Sequence, residues 1–107
     1  MADLARIFQA VGNDARIKIL TEIARCREAC VCELMTATGM GQSAVSHHLA
    51  VLRNAGLVHD RKSGLWVFYS IDEDLLRTHA VGFISDLLRH LDQAQMESPE
   101  ARLTLKT

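Results

Sequence analysis

The stretch Gln42-Ser43-Ala44-Val45-Ser46-His47-His48-Leu49-Ala50-Val51-Leu52-Arg53-Asn54-Ala55-Gly56 decides the fold of this chain. Val45, Leu49 and Leu52 recur at helical spacing, which predicts a helix that buries one stripe and turns Gln42, Ser43, Ser46, His47 and Arg53 outward. Ser43 opens this helix, and Asn54-Ala55-Gly56 stops it. Just upstream, Val31, Leu34, Met35 and Thr38 suggest a shorter helix ending at Gly39, with Gly41 punctuating the turn between the two. Two helices joined so tightly match a helix-turn-helix.

Beyond Gly56 the pattern changes. Leu57-Val58-His59-Asp60-Arg61 and Leu65-Trp66-Val67-Phe68-Tyr69-Ser70-Ile71 are strand-rich runs separated by Lys62-Ser63-Gly64, which reads as a β-hairpin. A lone hairpin is marginal in water, so it is expected to lie against the helices as a wing beside the reading helix. Upstream, Leu4, Ile7, Phe8 and Val11 mark a first helix ended by Gly12. Asn13 caps a second helix, carrying Ile17, Leu20, Ile23 and Ala24 and ending between Arg25 and Glu28.

A last helix is expected from near Asp72 to about Gln95. Leu75, Leu76, Ala80, Phe83, Ile84, Leu87, Leu88 and Leu91 give it an apolar stripe wider than one small core requires. The fold class expected is mainly α with a β-hairpin wing, a winged helix-turn-helix that dimerises through its first and last helices. Residues 1–95 form the DNA-binding and dimerisation domain, and 96–107 a polar, disordered tail.

A chain of 107 residues holds one core. The formal net charge of −1 is unpromising for a nucleic-acid partner, but the charges are unevenly placed. From Met40 to Gly64 the chain carries Arg53, Arg61 and Lys62 against Asp60 alone, whereas acids gather at Asp72-Glu73-Asp74 and at Asp86, Asp92, Glu97 and Glu100. The middle of the chain is therefore the phosphate-facing part. No stretch approaches the roughly 18 apolar residues of a membrane span, and the first residues lack the features of a signal peptide, so a cytoplasmic protein without a membrane partner is expected. No constellation of nucleophile, base and glycine-rich loop suggests an enzyme.

At the start of a recognition helix, Gln42, Ser43, Ser46 and His47 are short enough to approach base edges in the major groove of double-stranded DNA. Arg53, Arg61 and Lys62 suit phosphates, which fix register. The alternative for these positions is a capping serine and a solvated face.

The runs Ser43–Val58 and Arg61–Tyr69, together with Asn13-Asp14-Ala15-Arg16-Ile17-Lys18-Ile19-Leu20, resemble the ArsR/SmtB family of bacterial metal-responsive winged-helix repressors. The resemblance implies a homodimer that binds an inverted-repeat operator in its apo form and leaves it when an inducer binds.

Cys30 and Cys32 adjoin this machinery. An odd count of three cysteines in a reducing compartment favours packing, metal binding or redox sensing over a disulfide framework. In an intact helix, residues two apart point to nearly opposite sides, so one ion takes both sulfurs only if that first turn opens or is already irregular. Cys26, four residues before Cys30, is within reach as a third metal ligand if the backbone between them is helical; the alternative is a small buried hydrophobe. Thiolates without histidine suit soft ions. The family's arsenic and antimony repressors carry a similar Cys-Val-Cys-Asp/Glu-Leu-Cys pattern, which implies trivalent arsenic or antimony as inducer, although Met35 stands where the third cysteine falls. Cadmium, lead and zinc are alternatives, as is a thiol redox sensor in which Cys30 and Cys26 oxidise. His79 and His90 resemble part of the family's zinc pattern on the last helix, but Arg77 and Gln93 occupy its other ligand positions.

Overall fold

The computed structural model describes residues 3–94, 96 and 98–106. Helix α1, Leu4–Val11, starts where the Asp3 side chain accepts the Ala5 N–H and stops at Gly12. Helix α2, Asp14–Cys26, is capped by Asn13, whose side-chain oxygen accepts the Arg16 N–H (3.1 Å). Both caps satisfy a donor that helix geometry leaves without an internal partner.

The chain leaves α2 through Arg27, whose φ of 67° is costly for a side chain with a Cβ. It then forms β1, Ala29–Cys30, a two-residue strand that the sequence did not announce. Helix α3 is Val31–Thr38, and Gly39, at φ 72°, closes it by donating its N–H to the Met35 carbonyl (2.8 Å). Helix α4, Gln42–Asn54, begins one residue before the expected start, with Gly41 as its N-cap.

Strands β2, Val58–Ser63, and β3, Trp66–Ile71, pair antiparallel from Val58↔Ile71 to Ser63↔Trp66. The two-residue turn Gly64-Leu65 has Gly64 at φ 61°, as a turn needing positive φ at its first central position demands. Strand β1 joins the other side of β3, pairing Ala29↔Tyr69 and Cys30↔Phe68, so the wing is a three-stranded sheet of order β1-β3-β2.

The core lies between α1, α2, α3, α4 and the root of the sheet. Ile7, Ile19, Ile23, Leu34, Leu49, Leu52, Leu57, Val45 and Val58 are fully buried, and Tyr69, Ile71, Leu75 and Leu76 pack against them. Burying each such aliphatic side chain contributes about 1.5–3 kcal/mol.

The expected last helix departs from regularity. Its N-cap is Asp72, as the acidic cluster predicts, but an α turn, Glu73–Leu75, passes into a π-helical stretch, Leu76–Val81, before an α-helix, Gly82–Gln93. The Gly82 N–H donates to the Arg77 carbonyl, five residues back, which is the π signature. We call the whole run, 73–93, α5. Gln95, its expected end, lies outside the described residues, as does Glu97.

In place of the disordered tail expected from 96 onward, Pro99–Lys106 forms α6. Composition suggested fraying, but the local signals favour a helix: Pro99 fits a first turn, Glu100 suits the dipole, and the Ser98 hydroxyl accepts the Ala101 N–H (3.2 Å). The molecule is 66 Å long and 24 × 23 Å across, with a radius of gyration of 19.2 Å. A compact domain of this length would have about 13 Å. No residue of helix α5 is buried.

Candidate nucleic-acid interface and thiol site

Core packing dictates which face of α4 reaches solvent. Val45, Leu49 and Leu52 point inward, and Gln42, Ser43, Ser46 and His47 are all exposed along its first two turns. His48 is half-buried, and its Nδ1 lies 3.3 Å from Nη1 of Arg16, whose Nε also donates to the Ala10 carbonyl at the end of α1. A guanidinium only donates, so Nδ1 accepts and the His48 proton sits on Nε2. Desolvation, then the charges of Arg16 and His47, hold the His48 pKa below its ordinary value. Arg16 thereby locks α1, α2 and the reading helix together. The sequence offered no signal for this role, because Arg16 reads as an ordinary solvent-facing charge.

The three expected phosphate contacts differ in their surroundings. Lys62 is exposed and joins none of the ion pairs among the described residues. Arg53 pairs with Asp60 (3.4 Å), tying α4 to β2. Arg61 is forked onto Glu28, with Nε and Nη2 each 2.9 Å from a carboxylate oxygen. That hydrogen bond depresses the Glu28 pKa and raises that of Arg61. His59 meets Asp72 at 2.8 Å. The Asp72 carboxyl lies below its usual range, chiefly because it accepts the Leu75 N–H and secondly because of His59.

The thiol pair is not within one helix. Cys30 is the extended N-cap (φ −90°, ψ 167°) and the last residue of β1, whereas Cys32 is inside α3. The irregular start is therefore built in, and no turn has to open for the two to serve one cleft. Both line a cavity of about 230 Å³ with Val31, Leu65, Trp66 and Val67. Both are free thiols, Cys30 buried and Cys32 exposed. Glu33 holds the corner by accepting the Cys30 N–H (3.1 Å).

The condition under which Cys26 would reach Cys30 is not met, because the backbone after α2 turns through Arg27 and is not helical. Cys26 is exposed, its Sγ 3.6 Å from Glu22 Oε1, and it does not line the cleft. Its pKa is raised by desolvation and then by Glu22, which works against a thiolate. Met35 packs against the core. Among the described residues no three His, Cys, Asp or Glu side chains gather as a metal site. His79 is half-buried in the π stretch, and His90 is exposed in the α-helical run that follows it. The donor set of the cleft is thus two sulfurs in largely apolar surroundings, which fits a soft, thiophilic guest.

A model of bacterial regulatory proteins of the arsR family matches residues 13–60. The arsenic resistance transcriptional regulator ArsR1 of Pseudomonas putida is 35% identical over 97 residues, which are 89% of this chain and 72% of the relative. A cadmium resistance transcriptional regulatory protein CadC homolog of Staphylococcus aureus is 36% identical over 72 residues, 67% of this chain and 60% of the relative. Among solved structures, the homodimeric winged helix-turn-helix DNA-binding domain from Mycobacterium bovis superposes with a TM-score of 0.65 at 34% identity, covering 89% of this chain and 87% of that one.

Proposed function

This chain belongs to the arsR family of bacterial regulatory proteins, and from that premise we propose that it represses transcription of a metal or metalloid resistance operon. In this reading a homodimer holds an inverted-repeat operator and releases it when Cys30 and Cys32 take a soft ion, trivalent arsenic or antimony. Cadmium or lead would suit the same donors. The observation that carries the reading is the placement of two free thiols on one cleft at the head of α3, the first helix of the helix-turn-helix.

The geometry supports the following roles. Gln42, Ser43, Ser46 and His47 would meet base edges, with Lys62 and Arg53 on phosphates. Cys30 and Cys32 would supply two thiolates, and the ion, when bound, would supply the cross-link between strand β1 and helix α3. The second copy has a matching surface to cover: Ile84, Leu87, Leu88 and Leu91, at helical spacing on α5, are 48%, 47%, 56% and 71% exposed. The Mycobacterium bovis domain, similar over most of both chains, is a homodimer, which supports the same assembly here.

The test is fluorescence anisotropy on the DNA upstream of its own coding region. Cys30→Ser and Cys32→Ser should each bind that DNA as the wild type does and no longer be released by sodium arsenite. Release that survives the double substitution would refute the site.

A further inference from the structure

Arg61 stands on the wing, where its charge suggests a phosphate partner, yet the structure gives its bidentate edge to Glu28. The location of that pair has a mechanical meaning. Glu28 lies two residues before Cys30, and Cys30, Phe68 and Arg61 are successive partners across β1, β3 and β2. Directly paired residues project from the same face of a sheet. The adjacent line runs through Ala29 and Tyr69, of which Ala29 is wholly buried and Tyr69 packs against the core. The Cys30, Phe68 and Arg61 line therefore looks away from the core.

On that outer face the Arg61 guanidinium lies over the Phe68 ring, 5.2 Å from its centroid, and reaches past β3 to the carboxylate of Glu28. β1 itself is held to the sheet by only two residue pairs. A forked, charge-assisted contact with the far strand is a substantial addition to so short a ladder. We propose that Glu28 and Arg61 are positioning residues that join the thiol strand β1 to the far strand β2, so that occupancy of Cys30 and Cys32 is transmitted to β2 as well as to the reading helix. The inference rests on the thiol-site reading above and adds a route to it. Displacement of Cys30 draws on β3 through the ladder and on β2 through Glu28. In this role Arg61 is a coupling residue, and Lys62 is left as a wing cation that joins no ion pair among the described residues.

Hydrogen exchange of the full-length protein, with and without sodium arsenite, tests the route, together with operator binding under the same two conditions. In the wild type, arsenite should change exchange in β1, α3 and β2. In Glu28→Gln and in Arg61→Lys, the change in β1 and α3 should persist while that in β2 falls by at least half. The arsenite-induced loss of operator affinity should shrink by roughly two- to thirty-fold, the range for residues that carry coupling without touching either ligand. A pair that merely stiffened the wing would lower the melting temperature and leave this ratio alone. Equal β2 responses in wild type and variants, or a wild-type response confined to α3 and α4, would overturn the proposal. No arsenite-induced change anywhere in the wild type would instead remove the thiol-site reading, and the inference with it.

Discussion

Replacing Leu88 by Ala tests the dimer most directly. Leu88 lies on the α5 stripe with Ile84, Leu87 and Leu91, and is 56% exposed in the single chain. The substitution deletes three carbons, each worth about 0.8 kcal/mol when buried. Slightly more than half of that burial remains available to a partner, and a two-fold axis counts it twice, giving a loss of about 2.5–3 kcal/mol and a roughly hundredfold weaker dimer. The helix itself should not suffer, since alanine is the best helix former. Nor is the protomer core touched, because Leu88 is outside it. Sedimentation equilibrium over a dilution series reads the dimer constant, and binding to a half-site against a full inverted repeat reads its consequence on DNA. A dimer constant within threefold of wild type would refute this stripe as the interface.

Three further outcomes are expected. Ser46→Ala or His47→Ala should weaken binding to the operator more than binding to unrelated duplex, by about 1–3 kcal/mol in discrimination, as measured by anisotropy on both DNAs; equal losses would make them backbone contacts. Because the His48 pKa is held below its ordinary 6.5, the unfolded chain takes up this proton first as pH falls, so stability declines below pH 6.5 until the depressed value is passed. His48→Asn, which keeps an acceptor for Arg16 and cannot titrate, should lose less stability in urea denaturation between pH 7.5 and 5.5. Gly56→Ala forces a Cβ onto φ 84° and within 2.9 Å of Leu75 Cδ1, and should cost about 1–2 kcal/mol, a fall in Tm of roughly 5–15 °C.

The parts legible in the sequence are those governed by local chemistry. Asn13, Gly39, Gly56 and Asp72 stop or start helices because each satisfies an orphan backbone group or takes a conformation others resist. Val45, Leu49 and Leu52 announce the reading helix, since a 3.6-residue stripe has few other uses. Strand β1 was invisible, because two residues carry no periodicity and Ala29-Cys30 are strand only by virtue of Phe68 and Tyr69. The π stretch was equally hidden: its apolar spacing reads as α until the wider turn is seen. At the candidate site the residue types were readable and the pairings were not. Cys30 and Cys32 stood out by spacing, but whether Arg61 faces phosphate or Glu28 depends on a contact 33 residues distant in sequence. In α6 the reverse holds: the segment is polar in composition, yet the specific cues of Ser98 and Pro99 start a helix.

Among the described residues strand β2 has a neighbour on one side only, so its other margin presents peptide groups unpaired by them. Four consecutive polar residues, His59-Asp60-Arg61-Lys62, occupy that margin, and a margin so charged resists joining its counterpart on another molecule. Trimming these side chains to aliphatics would risk insoluble polymer before any defect in gene control could be observed.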